Sequence, residues 1–294
     1  MKILTYRSEN TVKWGVSTER GVLTIPGQRF SIQPIHTMDF IQTLVEQRSA
    51  LCDWIDTQIA EADDDCFLNE TELVKGPCVV QPSKIVCVGL NYRKHAIESN
   101  MPVPTAPVIF SKFSNTLSGH DDTVMLPRDS VQNDYEAELG IVIGKQAKHV
   151  PPFEALDYVF GYCNANDLSV REWQFRNSQW LLGKSADGFC PVGPYLVTAD
   201  EVQDPNRLSI VCKVNGEIRQ DSNTSDMIFN CAEIISYLSD HMTLMPGDLI
   251  LTGTPEGVVM GYPQEKQVWL QDGDRVTVEI EGLGLLANRI KKQS

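Results

Sequence analysis

Positive charge is scarce in this sequence: 25 Lys and Arg stand against 39 Asp and Glu, giving a formal charge of −14 and a pI near 4.8. Such a chain repels polyanions, so neither nucleic acid nor an anionic membrane surface is an expected partner. Long apolar runs are missing too, and no stretch approaches the roughly 20 residues that a membrane-spanning helix needs. The eight cysteines form neither a C-x-x-C pair nor a regular framework, which argues against a disulfide scaffold. Several lie inside apolar runs (KIVCVG, LSIVCKV), where cysteine behaves as a small hydrophobe. MKILTYRSEN lacks the features of a secretory signal, and these residues lead us to expect a reduced, cytoplasmic protein. LTGTPEGV at 251–258 lacks the lysine and spacing of a phosphate loop, so nucleotide binding is not expected. Internal repeats and low-complexity tracts are absent as well.

What is present suffices for one large core, or for a core plus a small accessory domain: 294 residues, 42% of them hydrophobic. Residues 1–75 differ from the rest. Three short strand-like runs (KILTYR, VKWGVST, GVLTIPG) precede apolar residues at the 3.6 period from about Met38 to Ala60, which predict one helix. The acidic run Glu61–Asp65 reads as its solvated end. GPCVVQPSK at 76–84 is expected to link this small α+β domain to a second domain over 76–294. There strand signals dominate, with Asn215-Gly216 as a hairpin turn, weaker turn chemistry at Glu281-Gly282, and short helices near 92–99, 152–157, 169–177 and 230–242. The expected fold class is mainly β with short α inserts, a sandwich or rolled sheet.

Chemistry is densest at NDYEAELGIVIGK. Residues two apart on a strand share a face, so Glu136 and Glu138 project together while the strand continues into apolar sequence. Neighbouring carboxylates repel unless a proton or cation lies between them, and a hard divalent ion suits oxygen-only ligands. Asp167, in GYCNANDLSVREWQ, is a third candidate ligand. The same spacing also suits an edge strand with solvent-facing acids and a helix N-cap at Asp167. His95 and Glu98 in NYRKHAIESN share a helical face, where a carboxylate can orient an imidazole. Lys112, Arg171 and Lys184 are the cations an anionic substrate would require, or else surface charges. The turn 251–258 can offer backbone N–H groups and a hydroxyl to a carboxylate. YPQEKQVWLQDGD suits either a pocket wall or, more simply, a longer hairpin, and His36, His120, His149 and His241 have no ligand spacing.

Taken in order, KIVCVGLNYRKHAIES, DYEAELGIVIGK, GYCNANDLSVREWQ, LGKSADGFCPVGPYLVT, VNGEIRQDSNTSDMIF and LMPGDLILTGTPEGV resemble the fumarylacetoacetate hydrolase family, over about Lys84 to Ile290. The resemblance implies a mixed β-sandwich roll, usually a homodimer, with Glu136, Glu138 and Asp167 as Mg²⁺ or Mn²⁺ ligands. It implies that His95 and Glu98 form a catalytic pair on a lid, with Lys184 beside the metal. Gly253 and Thr254 would lie in a turn that meets the substrate carboxylate, and Arg171 would be a motif arginine. Lys94 and Glu172 depart from the family pattern, in which Asp is common at both places. The implied substrate is a small 2-oxo or dioxo carboxylic acid. The implied reaction is hydrolysis of a C–C bond in an acylpyruvate-like β-diketo acid through a pyruvate-type enolate. Oxaloacetate decarboxylation, hydroxymuconate-type isomerisation and, further off, ureidoglycolate cleavage are the alternatives.

Overall fold

The computed structural model describes residues 1–8, 11–30 and 37–293; His36 lies outside them. The N-terminal segment builds strands β1 (Lys2–Ser8), β2 (Thr11–Thr18) and β3 (Gly21–Thr24), then helices α1 (Gly27–Phe30), α2 (Thr37–Glu46) and α3 (Arg48–Glu61), and β4 (Phe67–Leu68). The single helix predicted over 38–60 is therefore two. Gln47 breaks it with φ −113° and ψ 22°, and no side chain caps α3 there. The apolar period survives the break because both helices lay Phe40, Ile41, Leu44 and Leu51 into one core.

The remainder is β5 (Ile85–Gly89), α4 (Arg93–Glu98), β6 (Val108–Lys112), β7 (Leu117–Ser118), β8 (Thr123–Leu126), β9 (Asn133–Asp134), β10 (Ala137–Ile143), β11 (Val159–Asn166) and β12 (Ser169–Val170). Then follow α5 (Arg171–Gln174), α6 (Leu181–Lys184), β13 (Cys190–Thr198), β14 (Ser209–Val214), β15 (Glu217–Asn223), α7 (Cys231–His241), β16 (Leu249–Leu251), β17 (Arg275–Ile280) and β18 (Gly284–Lys292). The β14–β15 turn is Asn215-Gly216, both with positive φ (53° and 85°), as a type I′ hairpin requires. Helix α7 starts where the sequence signals it. Asn230 and Glu233 form a capping box, each side chain accepting the other's backbone N–H.

Among the described residues, two large sheets and a short β9–β12 pair form the β framework. The larger runs β4-β3-β2-β1-β13-β11-β10-β16-β5-β6, with β7 on β13; the smaller runs β15-β14-β17-β18-β8. Strand β10 is central and fully buried. Its Leu139, Ile141 and Ile143 pack into the core shared with β14, β17, β18 and α7. Val142 faces the other way, into the core shared with the N-terminal helices. The small and large segments thus continue one sheet, through β1 antiparallel to β13 (Ile3 opposite Leu196). This is the mainly β, mixed-sheet architecture with short helical inserts that the pattern predicted.

Candidate active site

Acidic residues from the adjoining ends of β10 and β11 converge. Glu138 lies on β10, Glu136 immediately precedes it, and Asp167 follows β11, the antiparallel neighbour of β10. A ligand oxygen from each lies within 4.8 Å of the others, and all three side chains are buried. The solvent-facing alternative for these acids therefore fails.

Cations share the load unevenly. Lys184 Nζ donates to Glu136 Oε2 at 2.7 Å and to Asp167 Oδ2 at 2.9 Å. Arg171 reaches Glu136 Oε1 at 2.7 Å and Asp134 Oδ2 at 2.9 Å. Burial pushes the Glu136 carboxyl up, but Lys184 and Arg171 together outweigh it and hold the group at about 2. Among the described residues, no cation pairs directly with Glu138. Burial, then the charges of Asp167 and Glu136, push it well above the usual carboxylate range, against the charge of Lys184 and one backbone N–H from Gly253 at 2.7 Å. For Lys184, burial favours the neutral amine, but Asp167 and Glu136 prevail and raise its pKa. The donor set is three hard oxygens with one carboxylate short of positive charge. These residues fit a divalent ion such as Mg²⁺ or Mn²⁺.

Lys112 is placed differently from its predicted role as a substrate contact. It is fully buried, donating to Asp167 Oδ1 at 2.6 Å and to Leu168 O at 3.1 Å. Its work is to fix Asp167, since neither Lys112 nor Asp167 borders the cavity. The 251–258 turn also serves the chain's own acids. Gly253 N–H goes to Glu138, and Gly257 N–H goes to both Glu98 oxygens at 3.1 and 3.2 Å. The Thr254 hydroxyl donates to Ala137 O and accepts from Gln220, both at 2.9 Å, although Thr254 still borders the cavity.

The cavity, about 580 Å³, is bordered by Glu136, Glu138, Arg171 and Lys184 on its inner side and by His95 and Glu98 on α4. His95 is 5% exposed, with Nδ1 3.4 Å from Glu98 Oε2. Gly261 makes room for Glu98: a Cβ there would lie 2.3 Å from the Glu98 carboxyl carbon. The two departures from the family pattern tie loops together. Lys94 pairs with Glu256 at 3.3 Å, and its backbone N–H reaches Asp226. Glu172 accepts the backbone N–H groups of Val131 and Gln132.

Sequence reading missed Gln174, Phe175 and Trp180, which also border the cavity. Gln174, one turn after Arg171, accepts from its guanidinium at 2.9 Å, and the i,i+3 spacing was the available signal. Tyr262 and Pro263 border the cavity, so of the two readings of YPQEKQVWLQDGD the pocket wall holds at its start. Asp134, two residues before Glu136 in NDYEAEL and expected to support the ligands, accepts Val259 and Met260 backbone N–H groups at 2.8 and 3.1 Å and anchors Arg171. It is a support and not a ligand.

Residues 84–291 match the model of the fumarylacetoacetate hydrolase C-terminal domain. Oxaloacetate tautomerase Fahd2a of Rattus norvegicus is 49% identical over 213 residues, 72% of this chain and 67% of the relative. Among solved structures, fumarylacetoacetate hydrolase from Exiguobacterium antarcticum is 32% identical with a TM-score of 0.81, all of both chains being covered. Maleylpyruvate hydrolase from Sphingobium sp. SYK-6, in complex with manganese(II) and pyruvate, is 29% identical with a TM-score of 0.82, again over all of both chains. The rat relative and its Bos taurus and Homo sapiens counterparts are mitochondrial by name, which overturns the cytoplasmic expectation drawn from the N-terminal residues. Motif order, sheet topology and the carboxylate cluster agree with these matches, and the chain belongs to the fumarylacetoacetate hydrolase family as a metal-dependent enzyme.

Proposed function

We propose that this protein interconverts the keto and enol forms of a small 2-oxo carboxylic acid, with oxaloacetate the first substrate to test. The observation that carries the proposal is that Glu136 and Glu138 of the carboxylate cluster, two cations and the His95–Glu98 pair border one cavity, with Asp167 completing the cluster. The names of the relatives at 49–50% identity support tautomerisation over the C–C hydrolysis put first on sequence grounds.

Glu136, Glu138 and Asp167 would hold Mg²⁺ or Mn²⁺, which when bound supplies a Lewis acid that makes the C3 proton of a 2-oxo acid more acidic. Arg171 is the cation for the substrate's C1 carboxylate at the inner end. Lys184, kept charged by Glu136 and Asp167, faces the negative charge that develops on the 2-oxo oxygen. Glu98 beside Nδ1 favours the tautomer that carries its proton there, leaving the Nε2 lone pair of His95 to accept or return the C3 proton. Helix α4 excludes water while its Glu98 is held by Gly257 N–H. Roles for Gly253 and Thr254 reduce to shaping this wall. The homodimer stays part of the proposal and is read out by light scattering.

Hydrolytic cleavage is the second reading, favoured by the likeness to maleylpyruvate hydrolase and by a His–Glu pair able to take a proton from water. Assaying loss of enol-oxaloacetate beside cleavage of acetylpyruvate, both with Mg²⁺, separates the two. We expect enol loss to dominate. Acetylpyruvate cleavage without enol-oxaloacetate turnover contradicts the proposal.

A further inference from the structure

Resting on the 2-oxo acid reading, we infer that this site accepts, and prefers over a second carboxylate, a flat apolar group on C3 of the substrate: the substrate class is an aryl-substituted 2-oxo acid. The cavity is divided by chemistry. Its inner end holds the acids and cations described above, and its outer wall is Met101, Phe110, Phe175, Trp180, Met260 and Tyr262. A volume of about 580 Å³ far exceeds what a four-carbon acid fills.

The aromatic wall is built, not incidental. Trp180 lies against Gly89, where a Cβ would sit 2.5 Å from the indole ring, so the ring's seat depends on the missing side chain. Phe110 meets Trp180 edge to face, with centroids 5.4 Å apart and planes at 65°. On its other side Phe110 lies 5.1 Å from Lys184 Nζ. One phenylalanine therefore marks the junction between the charged end and the apolar end. A substrate held by its C1 carboxylate and 2-oxo oxygen at the inner end directs its C3 substituent toward this junction.

Charge complementarity points the same way. Among the described residues bordering the cavity, the permanent cations are Lys184 and Arg171, and the C1 carboxylate and 2-oxo oxygen engage both. A second substrate carboxylate would leave water for an aromatic wall beside Glu98, within a chain of net charge −14. An aryl ring meets no such cost and gains edge or stacking contacts with Phe110 and Trp180. The proton bookkeeping is unchanged: the enol O–H proton leaves oxygen, C3 gains one, and no oxidant or co-reactant is needed.

The test compares ketonisation of enol-phenylpyruvate and enol-oxaloacetate by the Mg²⁺-loaded, full-length protein. We expect kcat/KM for the aryl enol to be higher by about tenfold, the scale of one or two aromatic contacts. Phe175→Ala, on a half-exposed residue, and Trp180→Ala should each lower the aryl-to-oxaloacetate ratio several-fold, mainly through KM for the aryl enol. Oxaloacetate turnover with equal or slower phenylpyruvate turnover overturns the inference and leaves the tautomerase reading standing, as does an unchanged ratio in both variants. Turnover of neither enol removes the tautomerase reading, and this inference with it.

Discussion

Replacing Gly261 by alanine should disable proton transfer while leaving metal binding and fold in place. The new Cβ would lie 2.3 Å from Glu98 Cδ and 2.4 Å from its Oε2, whereas ordinary contact begins at 3.4 Å. The carboxyl group must therefore retreat by about 1.1 Å, the shortfall between those distances. Its bonds to Gly257 N–H are 3.1 and 3.2 Å, and its contact with His95 Nδ1 is 3.4 Å. A retreat on that scale takes them past hydrogen-bonding range. A misplacement of roughly 1 Å in a catalytic group costs on the order of 100-fold in rate. Gly261 has no positive φ, so no backbone strain confuses the result, and Glu98 is partly exposed and free to yield. The assay is initial ketonisation rate at saturating enol, with calorimetric titration of Mn²⁺ alongside. Wild-type kcat in a variant that binds Mn²⁺ normally would refute the reasoning that Glu98 must sit against His95.

Other consequences follow from the same geometry. Lys184→Met removes the ammonium between Glu136 and Asp167, and breaking a buried pair from one side costs about 3–5 kcal/mol; urea unfolding of the metal-free variant should show it, with Mg²⁺ recovering part. Asp134→Asn should be similarly destabilising and should raise KM, because Arg171 loses its buried partner and the Val259–Met260 turn loses an acceptor. The folded-state pKa of Glu138 is raised, so its share of stability is complete at low pH and is lost as pH climbs through that value. Metal-free protein should therefore melt lower as pH rises above the ordinary carboxylate range, and Mn²⁺ affinity should increase, since the ion displaces a proton; pH-independent affinity is the contrary result. The division at residues 75 and 76 remains a proposal about organisation. Deleting residues 1–75 should leave an insoluble chain, since β13 loses β1 and the core around Val142 and Leu249 loses Phe40, Ile41 and Leu44.

Much of the site was legible because its signals are local. Alternation on a strand paired Glu136 with Glu138, and helical spacing paired His95 with Glu98. Hydrophobic period and turn chemistry likewise placed most strands, α7 and the Asn215-Gly216 hairpin. What escaped depends on contacts distant in sequence. Nothing beside Lys112 says that it pairs with Asp167, 55 positions away. Nothing near Asp134 announces that it holds the backbone of Val259, 125 residues on. The turn at 251–258 was correctly read as a donor of N–H groups, but the recipients are Glu138 and Glu98 of the same chain. The break at Gln47 was invisible because the apolar residues on either side keep facing one core. Trp180, Phe110 and Gly89 become a wall only when α6 folds back over β5 and β6.

The central claim, proton transfer at C3 within a metal-carboxylate cavity, is tested most directly by deuterium incorporation at C3 of oxaloacetate in D₂O, followed by NMR with Mg²⁺ present. The account predicts exchange well above the uncatalysed rate in the wild type. It also predicts loss of that excess in Glu136→Ala, with the fold retained, and in His95→Ala, with metal binding intact. Exchange at the uncatalysed rate in the wild type, or undiminished exchange in both variants, would contradict it.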